Sequence, residues 1–220
     1  MSAIIDLIKT EDLKAGDSMP SENALAEAFG VSRVIVREAN RSLSALGIIE
    51  IANGRTARVS VPDFDVVGVL FDHIVHSRHV TVHQVLDVRR SIELRTVALA
   101  AMRRSAREAQ AITDYADAML ADHSLPAKVM QHDLAFHATI ATAARNPLFT
   151  IMVRAFEPVT RSTWQLGWRS RADEEERLTM IAVHRSIAVA VNSQDVAAAQ
   201  AAMAAHFDQT TRALVGAGLT

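Results

Sequence analysis

Cysteine does not occur in the 220 residues, which excludes disulfides and thiolate metal sites alike. Its absence suits a reducing cytoplasm, and that is where the protein is expected. Aromatic residues make up only 5% of a chain that is 50% hydrophobic, and alanine is abundant. That balance favours closely packed helices over sheets. No apolar run approaches the roughly 18 residues of a membrane span. Met1 to Lys9 lacks the basic start and apolar stretch of a signal peptide.

Charge of one sign is also lacking. The formal net charge is −2, which at first argues against a nucleic-acid partner. The distribution argues otherwise. Between Val31 and Val59 stand Arg33, Arg37, Arg41, Arg55 and Arg58, against Glu38 and Glu50 alone. A locally basic segment in a mildly acidic chain limits non-specific binding and concentrates affinity on a small surface.

Two domains are expected. Residues 1–61 carry short helical segments punctuated by Gly16, Pro20, Gly30, Gly47 and Gly54, and they end in a pair of strands. A linker follows at 62–66, around Val61-Pro62-Asp63. Residues 67–220 are dominated by long helical patterns. Helices are predicted near 65–77, 82–102, 105–122, 127–143, 147–165, 172–192 and 195–215. Asn146-Pro147 provides an N-cap and a first-turn proline. The fold class is mainly α: a winged helix-turn-helix followed by an antiparallel bundle of about six or seven helices.

The DNA-binding expectation rests on the order of local signals. Ser21 can cap a helix from Glu22 to Phe29, with Gly30 as its left-handed terminus. Ser32 caps a second helix, which Gly47 ends. Two helices joined by so short a turn form a helix-turn-helix. Arg33, Arg37 and Arg41 are four apart and share one face of the second helix. Ile48–Ala52 and Arg55–Val59 flank Asn53-Gly54, which predicts a two-residue hairpin turn with Arg55 at its tip. Arg33, near the helix N-terminus, is placed to reach a guanine edge, and Arg37 to reach a base or a phosphate. Arg41 and Arg55 position the DNA backbone. An ordinary solvated arginine face explains the stripe alone, but not the whole series of cap, helix, turn, helix and hairpin.

The series Gly16-Asp17-Ser18-Met19-Pro20-Ser21-Glu22, Leu25-Ala26-Glu27, Gly30-Val31-Ser32-Arg33 and Val36-Arg37-Glu38-Ala39 resembles the GntR family of transcription regulators. The resemblance implies a winged helix-turn-helix whose DNA contacts include Ser32, Arg33, Arg37, Arg41, Asn53, Gly54 and Arg55. Asn23 and Ala24 stand where the family commonly has arginine and glutamate, and Val34 and Ile35 replace residues that are often threonine and proline. Asn40 takes a position usually held by leucine on the core side.

Nine histidines require sorting. His73, His76, His79 and His83 are close in sequence, but no carboxylate stands at ligand spacing with them, and they are expected at a surface or an interface. Asp133 and His137 lie four apart on a strongly helical segment and project on one face. His132 points about 100° away from Asp133. His184 and His206 sit among apolar or small residues on two later helices. One aspartate and three histidines from three helices can converge in a bundle core. Buried histidines can equally be satisfied by hydrogen bonds alone.

The elements Leu86-Asp87-Val88-Arg89-Arg90-Ser91-Ile92-Glu93, Asp133-Leu134-Ala135-Phe136-His137, Ala143-Ala144-Arg145-Asn146-Pro147 and His184-Arg185-Ser186-Ile187 resemble the FadR-type (FCD) branch of the GntR regulators. That resemblance implies that Asp133, His137, His184 and His206 hold one divalent metal ion per chain, zinc first, with nickel, manganese or iron as alternatives. It also implies that Arg89 faces a small carboxylate effector, with an ion pair to Glu93 as the plainer role for this arginine. A homodimer on a palindromic double-stranded operator, without membrane association, completes the expectation. The protein is expected not to be an enzyme. The rivals are a metal-dependent helical hydrolase built on His132-Asp133 and a regulator whose metal is purely structural.

Overall fold

The structure is a computed structural model describing residues 1–51, 56–61, 65–171 and 173–218. Its contacts divide the chain into Met1–Val66 and Val67–Thr220.

The first unit contains α1 (Ser2–Thr10), α2 (Glu22–Phe29), α3 (Arg33–Ala45), β1 (Ile49–Glu50) and β2 (Arg58–Val59). Ser21 caps α2 by accepting from Ala24 N at 3.2 Å, and Ser32 caps α3 by accepting from Ile35 N at 3.4 Å. Gly30 ends α2 at φ 64°, in the left-handed region where a side chain would be strained. Ile4, Met19, Leu43 and Ile49 form the core of this unit. The strands are antiparallel, with Ile49 opposite Val59 and Glu50 opposite Arg58. Asn53, Gly54 and Arg55 lie outside the described residues. Residues 16–19 extend the ladder: Gly16 N donates to Val59 O and Met19 N to Ala57 O, each at 2.8 Å. Asn40 is buried on the core side of α3, and its Oδ1 has no hydrogen-bond partner.

The second unit contains α4 (Asp65–His76), α5 (Val82–Arg103), α6 (Ala106–Ala121), α7 (Pro126–Ala143), α8 (Pro147–Ala155), α9 (Glu157–Arg169), α10 (Glu174–Asn192) and α11 (Val196–Gly216). The segment expected as one helix over 147–165 is two, meeting at Phe156. Pro158 has no N–H to offer the carbonyl of Arg154, so the ladder is interrupted there. Full capping boxes start α5 (Thr81 with Gln84) and α6 (Ser105 with Glu108). α5 packs on α7, α10 and α11, and their shared core includes Val97, Phe136, Ile187 and Met203. A smaller cluster joins Val85, Phe156 and Val159 to Phe71 of α4. Gly68 of α4 rests on the α8–α9 elbow: a Cβ there would stand 3.0 Å from Pro158 Cγ and 3.3 Å from Ala155 O.

Candidate functional site

Asp133 and His137 lie one turn apart on α7, His184 lies on α10 and His206 on α11, and all four are buried. One ring nitrogen from each of His137, His184 and His206 falls within 4.8 Å of the others, the only such group among the described residues. Asp133 Oδ1 is 2.8 Å from His184 Nε2 and 3.7 Å from His137 Nε2. Two donors bound at about 2.1 Å to one ion are separated by roughly 3.0–3.4 Å at right or tetrahedral angles, so these spacings are compatible with a shared ion.

The outer hydrogen bonds fix which nitrogens face inward. Nδ1 of His184 donates to the Met180 carbonyl at 3.0 Å. Nδ1 of His137 donates to Glu93 Oε2, a buried carboxylate on α5. Both arrangements leave Nε2 directed at the cluster, as in histidines oriented for metal binding. His137 Nε2 is buried and has no hydrogen-bond partner. Burial opposes charge on Glu93, yet Arg89 and His137 beside it bring its pKa down to about 2. Burial, and then the neighbouring His184 and His137, hold His206 well below the usual histidine range and keep its lone pair free. Asp133 is lowered despite burial, because His184 donates to it and His137 lies close by. One carboxylate and three imidazoles so placed fit a divalent ion, which on binding would displace the proton that His184 shares with Asp133.

A cavity of about 60 Å³ adjoins this cluster, lined by Asp133 and His206 together with Arg89, Thr160, Trp164 and Arg171. Arg89 is both ion-paired and placed at the cavity. It pairs with Glu93 at 2.7 Å, donates through Nη1 to Thr160 Oγ1 at 2.8 Å, and lines the cavity. Trp168 stacks on Trp164 at 6.3 Å and belongs to the core.

His132 points elsewhere, to Asp122 Oδ2 at 2.9 Å, so the adjacent His132 and Asp133 do not share a site. His73 and His76 are exposed on the last turn of α4.

On α3, Arg37 is held by Glu22 of α2 at 3.2 Å and Arg41 by Glu38 at 2.8 Å. Arg33 makes no ion pair with a described residue, and Ser32 is occupied as the cap. Val34 and Ile35 are exposed beside Arg33.

Capped α2 and α3 followed by a hairpin, in a chain whose second unit is wholly helical among the described residues, define a helix-turn-helix regulator of transcription. Residues 1–59 match the bacterial regulatory proteins of the gntR family, and residues 84–209 match the FCD domain. The chain belongs to the gntR family, with an FCD domain at its C-terminal end. It is 31% identical over 217 residues to the HTH-type transcriptional regulator LutR of Bacillus subtilis (strain 168), covering 96% of this chain and 97% of that protein. The galactonate operon transcriptional repressor of Escherichia coli (strain K12) is 25% identical, covering 90% of this chain and 88% of its own. A solved structure described as Streptococcus agalactiae GntR shares the fold, with TM-score 0.61, 22% identity and 96% of each chain covered. The protein is therefore a DNA-binding regulator rather than an enzyme, in a family that commonly forms dimers. Among the described residues no helix is long and apolar enough to cross a membrane.

Proposed function

We propose that this regulator's affinity for its operator is set by a small organic or sugar acid held at one divalent ion in the C-terminal domain. The observation that carries the reading is the buried cluster of one aspartate and three imidazoles, whose Asp133 and His206 line a cavity together with Arg89. Asp133, His137, His184 and His206 would hold the ion. Zinc is the first candidate, with nickel, manganese or iron as alternatives. The ion would supply a Lewis-acid anchor for a carboxylate or hydroxyl oxygen, while Arg89 selects for negative charge. The operon named for one relative, galactonate, accords with a hydroxy acid.

On the DNA side, Arg33 reads a base edge, Arg37 reaches a base or a phosphate, Arg41 positions the backbone, and Ser32 orients the helix that carries them. Asn53, Gly54 and Arg55 are proposed as the hairpin tip that meets the adjoining backbone. A homodimer would present two such helices to a palindromic operator. The domain boundary is proposed at the segment 62–66. A purely structural ion is the second reading, favoured by the fully matched Arg89–Glu93 pair.

The experiment measures operator affinity while organic and sugar acids are added, with and without a chelator. Coupling of this kind typically amounts to 1–3 kcal/mol, or about 5–150-fold in affinity. A responding acid that loses its effect with the chelator supports the proposal. No response to any acid, or a response indifferent to metal, overturns it.

A further inference from the structure

Arg171 is a second guanidinium at the cavity. It follows α9, lines the same cavity as Asp133 and His206, and makes no ion pair with a described residue. Its Nη1 donates to the Gly167 carbonyl, which orients the guanidinium without neutralising it. Also lining the cavity is Trp164, whose Nε1 is buried and has no hydrogen-bond partner among the described residues. A buried N–H left unmatched is destabilising, so an acceptor arriving there is favoured.

The charges around the cavity point the same way. Arg89 is matched by Glu93, and these two cancel. Asp133 is the remaining carboxylate lining the cavity. Burial lowers the Arg171 pKa, and the charges that oppose this are Asp133 and then the exposed Glu176, which does not line the cavity. With a divalent ion at the imidazoles, ion and Arg171 against Asp133 leave an excess of about two positive charges in a site of low polarity, which a single carboxylate does not balance.

We infer that the effector is a short dicarboxylate, with one end at the imidazole cluster and the other at Arg171 and Trp164 Nε1. This inference rests on the proposed acid site and specifies its ligand class. The cavity of about 60 Å³ has room for about four to six water positions, which suits a diacid of about three or four carbons. Arg171 offers a planar fork for the distal carboxylate, and Trp164 donates to its remaining oxygen.

The test titrates succinate and malate against butyrate and 3-hydroxybutyrate, which share their carbon skeletons, into the full zinc-loaded chain by calorimetry. The diacids should bind more tightly. In Arg171→Gln the preference for diacid over monoacid should fall by about 10- to 100-fold, the value of hydrogen bonds to a charged group. Arg171→Lys should restore part of it, and Trp164→Phe should reduce it by less. Circular dichroism and the Lys variant guard against a folding defect. Equal binding of diacids and monoacids to the wild type, or an equal loss of both in Arg171→Gln, overturns the inference and leaves the acid site standing. Binding of neither class overturns both.

Discussion

Glu93→Gln removes one charge from a buried chain of three residues while keeping its shape. In the wild type, Glu93 Oε1 accepts from Arg89 Nε at 2.9 Å and Nη2 at 2.7 Å, and Oε2 accepts from His137 Nδ1. A glutamine amide presents one acceptor and one donor in that space. Whichever way it turns, Arg89 or His137 meets a donor. If the oxygen stays with Arg89, His137 must carry its proton on Nε2, the atom that faces the other imidazoles. Loss of such an orienting partner costs about 10- to 100-fold in metal affinity, or about 1.4–2.7 kcal/mol. Either way Arg89 is left buried without its counter-ion, and if the oxygen turns to His137 it also faces the amide donor, at a cost of up to about 3–5 kcal/mol. Thermal unfolding in excess chelator reports the second effect, and competition for zinc with a chromogenic chelator reports the first. Glu93→Gln should lose stability without metal and bind zinc at least tenfold more weakly. A folded variant with wild-type zinc affinity would refute the argument that Glu93 sets the His137 tautomer.

Arg33→Ala should cost about 1–3 kcal/mol in operator binding and relax base preference, whereas Arg41→Ala should weaken all sequences alike; selection from a randomised operator library separates the two. Glu108 accepts from Ser105 N at 2.8 Å and grips Arg145 through Nη1 at 2.8 Å and Nη2 at 2.6 Å. Glu108→Ala should therefore cost about 1–2 kcal/mol at neutral pH, read from urea unfolding. Burial opposes the Glu108 charge, but the bonds from Ser105 and Arg145 outweigh it and lower the pKa below 4.5. That stabilisation is complete above 4.5 and is lost as pH falls through the lower folded value, so wild type and variant should converge in acid.

The helix-turn-helix was legible because its signals are local. Ser21, Gly30 and Ser32 each act within one turn of their own backbone. The pairing of Asp133 with His137 was legible for the same reason, through helical periodicity. α1 went unanticipated: Met1 provides no side-chain cap, so nothing announces its start. The break at Phe156 was written in Pro158 but hidden by the apolar pattern running through it. Glu93 was recognisable only as a partner one turn from Arg89. Its bond to His137 joins α5 to α7, and such a contact depends on how helices pack, which no spacing in the chain expresses. Arg171 was missed because its neighbourhood is strongly charged, and a basic residue there looks solvated until the cavity is seen.

The seat of Gly68 on the α8–α9 elbow has a mechanical consequence. The helix that begins at this elbow carries Thr160 and Trp164, and Arg171 follows shortly after it, so one side of the cavity is built on a single lever arm. Its fulcrum touches α4, the first helix after the DNA-binding segment, with no slack for even a methyl group. An interface without slack transmits displacement instead of absorbing it. Whatever displaces this wall of the cavity would therefore be felt along α4.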